Sequence, residues 1–205
     1  MSFDKSVFVN CPFDEDYLGL LRALLFTVTY LGFKPRIALG ELDSGTPRIQ
    51  KIIRLIASSR YAIHDLSRLQ ARQMGEYYRL NMPLELGIDV GCCLFGSSQQ
   101  RRKRCLILET EGYRYQAAVS DISNSDIGVH GGSPETVVTE VRNWLNSAAR
   151  LQAPGASRVW GAFLEFMADN YADLKRRGFS DGNIESLPIG ELMGCMARWV
   201  ARKPD

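Results

Sequence analysis

Ile63-His64-Asp65-Leu66-Ser67, followed by Asn81-Met82-Pro83-Leu84-Glu85-Leu86-Gly87-Ile88, is the part of this chain whose reading decides the fold. The first run reads as the polar end of a buried strand. The second reads as the first turn of a helix with a carboxylate on it. Strand, loop and helix in that order are the unit of a parallel sheet, and together they set Asp65 and Glu85 at its C-terminal edge, where open α/β folds bind ligands. No metal-ligand cluster, phosphate-binding glycine loop or nucleophilic serine elbow competes with that pair elsewhere.

Working outward, Ser6 to Val9 is a short apolar run that ends in the turn-like Asn10-Cys11-Pro12-Phe13-Asp14, and reads as a central first strand. Tyr17 to Leu31 has leucines and aromatics nearly all round, as a well-buried helix does, and Gly32 closes it. Pro35 to Leu39 reads as the second strand. Thr46-Pro47 is a helix start, Thr as N-cap and Pro at the first helical position, before Ile49, Ile52, Ile53 and Ile56 at helical spacing. Tyr61 to Asp65 is the third strand. A polar loop rich in Arg and Gln runs to Leu80, and Asn81 caps a helix that continues to Phe95. The basic turn Arg101 to Arg104 precedes the fourth strand, Cys105 to Leu108. A short element around Tyr113 to Ala118 leads to a weak fifth strand, Ile127 to Val129, and Ser133-Pro134 starts another helix.

Strands alternating with helices predict an α/β, doubly wound, mostly parallel five-stranded sheet, flavodoxin-like, over residues 1–150. Gln152 to Ser157 reads as a linker. Two helices, Val159 to Arg176 and Pro188 to Val200, form a C-terminal helical extension over 151–205, packed on the main domain or used for self-association. Trp160, Phe163, Phe166 and Trp199 supply apolar surface for such an interface.

Composition excludes several classes. The 205 residues are 45% hydrophobic and 23% charged, ordinary for a globular protein, and a net charge of +2 argues for neither nucleic acid nor membrane. No apolar run reaches the ~20 residues of a membrane span. Five scattered cysteines, at 11, 92, 93, 105 and 195, suggest reduced thiols in a cytoplasmic protein. Two histidines, 64 and 130, and no Cys-x-x-Cys make a zinc site unexpected. Arg101-Arg102-Lys103-Arg104 reads as a solvated turn, with Tyr113, Arg114 and Tyr115 only a weak echo of nucleic-acid recognition. Cys92-Cys93 reads as core packing.

A strand ending in Asp65-Leu66-Ser67, then Asn81-x-Pro83-x-Glu85-Leu86-Gly87, resembles the nucleoside 2-deoxyribosyltransferase-like families, which are related in fold to TIR domains. The resemblance covers roughly residues 6–148. It implies cleavage or exchange of an N-glycosidic bond in a nucleoside, nucleotide or NAD, with no metal or organic cofactor and NAD, if used, as substrate. Several such relatives are effectors in bacterial anti-phage defence. The resemblance assigns Glu85 as the catalytic glutamate, attacking the anomeric carbon or stabilising oxocarbenium-like charge. A place in the first helical turn favours its ionised form. The same resemblance makes Asp65 a hydrogen-bonding group for a ribose hydroxyl or the departing base, and Asn10 and Phe13 contacts to base or sugar.

The residues alone leave other readings open. Glu85 can simply stabilise its helix, Asp65 can form an Asx-turn, and Phe13 can pack on the core. Arg48, after Ser44-Gly45-Thr46, can hold a phosphate or be solvated. Asn81 is most simply a helix cap, with ligand contact the lesser option. His64 points away from Asp65 if strand alternation persists, and reads as structural. Asp89 shares a helix face with Glu85; it raises the proton affinity of Glu85, makes an unrelated salt bridge or faces solvent. The expected partner is a small nucleoside or nucleotide, with the chain as a homo-oligomer. A nucleotide-binding sensor without turnover is the alternative function, and an interaction scaffold a third.

Overall fold

Val7, Phe8 and Val9, like Tyr61, Ala62 and Ile63, are apolar on both sides of an extended chain, which suits strands covered by helices on both faces. The computed structural model, which describes residues 2–40, 45–69, 80–112, 114–117, 119–120 and 126–203, puts both runs in the middle of a parallel sheet. Its strands are β1 (Ser6–Asn10), β2 (Lys34–Arg36), β3 (Tyr61–Asp65), β4 (Arg104–Glu109) and β5 (Ile127–Val129), in the order β2-β1-β3-β4-β5. All four neighbouring pairs are parallel. This is a doubly wound α/β fold with its topological switch between β1 and β3.

Among the described residues, seven α-helices accompany the sheet: α1 (Leu18–Tyr30), α2 (Arg48–Ala57), α3 (Asn81–Phe95), α4 (Pro134–Ala148), α5 (Ala156–Arg176), α6 (Asp181–Glu185) and α7 (Ile189–Arg202). Strand alternation divides the core between two faces. Val7, Val9, Tyr61, Ile63, Leu106 and Leu108 join α1, α4 and the C-terminal helices. Phe8 and Ala62 pack under α2 and α3.

Several boundaries differ from the sequence reading. The second strand is only Lys34–Arg36, and Ala38–Gly40 turns into a 3₁₀ helix instead of extending to Leu39. Pro47, not Thr46, occupies the cap position of α2. Leu80, not Asn81, occupies that of α3, and no side chain caps it. The linker read over 152–157 is shorter, since α5 starts at Ala156, and it is fastened: Arg142 donates from Nε to Pro154 O and from Nη2 to Ala153 O, both at 2.6 Å, and Ala153 N–H donates to Asn146 Oδ1 at 3.0 Å.

The C-terminal helices pack on α1. Phe26 stacks with Phe166 at 5.3 Å between ring centroids and meets Phe163 and Trp199 at 5.5 and 5.7 Å. Those aromatics, expected at an interface, are spent inside the chain, and Trp160 packs on Phe163. Among the described residues no helix is long and apolar enough to cross a membrane. The Arg/Gln-rich loop over 70–79, Ser44, Tyr113 and Ala118 lie outside the described residues.

Candidate functional site

The C-terminal ends of β1, β3, β4 and β5 each deliver a polar group to one edge: Asn10, Asp65, Glu109 and, one residue past β5, His130. All four are buried. The C-terminal edge of the sheet beside the β1/β3 switch therefore carries hydrogen-bonding side chains, put there by where the strands end.

Asp65 turns toward α1 and α4. Its Oδ2 accepts from the Tyr17 hydroxyl at 2.5 Å, and its Oδ1 accepts from Ser67 N–H at 2.9 Å, an Asx-turn. His130 Nε2 lies 3.2 Å from Asp65 Oδ2 but off the line of a hydrogen bond. Gly132 N–H donates to His130 Nδ1 at 3.0 Å, which puts the ring proton on Nε2, facing the carboxylate. That turn needs Gly131 and Gly132 in the left-handed region, at φ 56° and 75°, which glycine adopts without strain. Burial, then the Asp65 charge, holds the Tyr17 phenol well above its ordinary pKa. Sealed and occupied, Asp65 orders this wall of the crevice.

His64 faces the other side of the strand. Asn10 Nδ2 donates to Met82 O at 2.9 Å and meets His64 Nδ1 at 3.0 Å. A carbonyl only accepts, so the Asn10 amide is fixed as donor and His64 carries its proton on Nε2, 3.2 Å from Asp89 Oδ2. Asp89 Oδ1 lies 2.9 Å from Lys103 Nζ, which also donates to Ile56 O at 2.8 Å and to Ser59 O. Burial alone would raise the Asp89 carboxyl, but His64 and Lys103 outweigh it and hold it below its usual value. Asp89 thus neither faces solvent nor perturbs Glu85, and Lys103 is not part of a solvated basic turn. The half-buried Cys92 packs against the cluster beneath α2 and α3.

Glu85 lies in the second turn of α3, not the first, so the helix dipole acts on it weakly. It is 8% exposed. Burial raises its pKa to about 7, and the Arg48 charge offsets only part of that. The Cys11 thiol just past β1 is pushed well above its ordinary value by burial and then by the charges of Asp65 and Glu85. Arg48 lies over the Phe13 ring, 5.9 Å from its centroid, and both are exposed. The structure therefore brings Glu85, Asp65, Asn10, Phe13 and Arg48 to one edge. Asn81 lies on the solvent side of α3 and contributes no cap.

Sequence reasoning passed over Tyr17, His130 and Glu109. Glu109 Oε1 accepts from Arg114 Nη2 at 2.6 Å and from Thr110 N–H at 2.8 Å, and Arg114 also donates to Ser67 O at 2.8 Å. Glu109 Oε2 is buried without a hydrogen-bond partner. Burial raises this carboxyl, with Arg114 opposing. The rule that found Asp65, a polar residue closing a strand, picks out Glu109 and His130 when applied to the fourth and fifth strands. Among the described residues no group of three or more His, Cys, Asp or Glu is disposed to hold a metal ion.

Fold and side chains together define an open α/β protein with buried polar groups gathered at the C-terminal edge of its sheet, beside the switch point. Compared with known proteins, the chain matches no family model, no curated protein and no solved structure.

Proposed function

We propose that this chain cleaves or exchanges the N-glycosidic bond of a nucleoside, nucleotide or NAD at the β1/β3 crevice, with Glu85 as nucleophile or as stabiliser of the oxocarbenium-like transition state. The observation that carries the reading is a Glu85 carboxyl buried at the switch point with its pKa near 7 and an arginine and an aromatic ring at the mouth. A desolvated carboxylate gains more from positive charge developing beside it than a hydrated one does. Phe13 offers a face for a base and Arg48 a cation for a phosphate. Asp65 acts through Tyr17 and His130 as a positioning group, since its oxygens are already engaged. Water as acceptor gives hydrolysis, and a second base gives transfer. The free thiols suit a reducing compartment, and the proposed setting is the cytoplasm, with the chain self-associated.

Purified protein incubated with NAD, NADP and a panel of nucleosides and nucleoside phosphates, read by chromatography, tests this. Wild type is expected to release free base or nicotinamide, and Glu85→Gln is expected to release none while still binding substrate in calorimetry. If Glu85 acts ionised, kcat/KM rises with pH and levels off above about 7. Binding without release by the wild type favours the second reading, a nucleotide sensor, which the sealed state of Asp65, Glu109 and His130 also suits.

A further inference from the structure

The helix that carries Glu85 is built inside out. The only charged residues of α3, Glu85 and Asp89, are buried against the sheet. Its outer face carries Leu84, Gly87, Gly91, Leu94 and Phe95, which fall on one stripe at helical spacing and include no charge. Leu84 is 57%, Leu94 60% and Phe95 85% exposed. On α2, which packs beside α3, Ile49 and Ile53 are also 41% and 45% exposed. A helix with one face in water ordinarily keeps that face polar. The opposite face of the sheet is already covered by a second helix layer, α5 to α7 on α1 and α4. The α2/α3 face has one layer only among the described residues.

We propose that this face is a self-association surface, on which a second copy of the chain packs its own α3 about a two-fold axis. Size is the first argument. Side chains of this class present roughly 150–250 Å² each, so the five leave on the order of 500 Å² of apolar surface open, against ~800 Å² per partner in a standard interface. An apolar patch of that extent is at the upper end for a monomer, and α3, at ~1.5 Å per residue, is long enough to centre a dimer contact. Shape is the second. Cβ atoms placed on Gly87 and Gly91 would meet nothing within 4 Å, so both glycines look onto open space and let a partner helix approach closely. Charge is the third. A two-fold axis sets the patch against itself, which suits an uncharged apolar face and would punish a charged one. The cations near its ends are engaged within the chain: Arg101 Nε donates to Gly96 O at 3.2 Å, Arg102 lies 3.5 Å from Asp4, and Arg48 lies over Phe13.

Sedimentation velocity and light scattering of the full chain across the micromolar range test this. Wild type is expected at twice its 23.0 kDa. Phe95→Glu is expected to raise the dissociation constant about tenfold or more. Gly91→Leu is expected to do the same by blocking close approach, with an unchanged circular dichroism spectrum, because its side chain enters open space in the single chain. Leu164→Glu, an exposed leucine on α5, is expected to leave the dimer intact. A wild type that stays at 23.0 kDa throughout, or a folded Phe95→Glu that still doubles in mass, overturns the proposal. So does a monomer that binds phosphatidylglycerol vesicles in the wild type and not in Phe95→Glu, which would assign the face to lipid.

Discussion

Burial holds Glu85 in a state that costs stability. Its folded pKa, about 7, is above that of a free glutamate, ~4.3. Between those values the folded state holds a proton that the unfolded state has lost, so the chain loses stability as pH rises through this window and the loss is complete above about 7. Glu85→Gln removes the titration. Allowing for solvent that still reaches the carboxylate, it is expected to stabilise the protein by about 2 kcal/mol at pH 8, or ~5 °C in Tm, and by almost nothing at pH 4. Thermal melts of both proteins at the two pH values check this; an equal Tm difference at both would refute it. Asp65 and Asn10 were legible in the sequence because each closes a strand, and Glu85 because it lies near the start of a helix. Its protonation state was not. That depends on how far neighbouring elements exclude water, and the reading from helix position alone gave the opposite sign. Tyr17 was hidden for a similar reason, since it meets Asp65 across 48 positions of sequence.

At the scale of elements, α3 is the part that must be held still, and a buried polar strut holds it. Asn10 grips the Met82 carbonyl at its start, His64 and Lys103 grip Asp89 at its middle, and Lys103 also closes the end of α2 through Ile56 O. Removing one partner of such a pair leaves a buried charge uncompensated. Asp89→Ala is expected to cost about 3–5 kcal/mol in urea unfolding. Lys103→Met should cost less, because Asp89 keeps His64, and the double variant should cost less than the two together by ~1–3 kcal/mol. Additive effects would mean that the two groups do not work as a pair. Most elements could be read beforehand. The third strand, the body of α3 and the fifth strand fall where their apolar patterns predict. The errors lie at ends, at Thr46, Asn81 and the second strand, because a cap depends on how the chain arrives and not on the residue type alone. Lys103 could not be separated from its arginine neighbours by composition. What sets it apart is its reach from the residue before β4 to Asp89, Ile56 O and Ser59 O.

Across the whole molecule, residues 151–205 and the sheet domain share one hydrophobic cluster. A Pro- and Gly-containing segment suggested a linker, yet Arg142 fastens it, and Phe26 of α1 lies among Tyr30, Phe163, Phe166 and Trp199. Composition reports that a segment is irregular; it does not report whether its neighbours tie it down. The consequence is cooperative unfolding. Removing the fully buried Phe166 ring opens a cavity against Phe26, and Phe166→Ala is expected to cost about 3–5 kcal/mol. Because Tyr17, at the cap position of α1, donates to Asp65, that loss should be felt by the sheet and the C-terminal helices at once. Calorimetry of wild type and Phe166→Ala is expected to give a single transition in each, shifted as a whole to lower temperature in the variant, with the calorimetric and van't Hoff enthalpies in agreement. Two transitions, with only one of them shifted, would instead make 151–205 a unit that folds apart from the sheet and would sever α5 to α7 from any influence on the crevice.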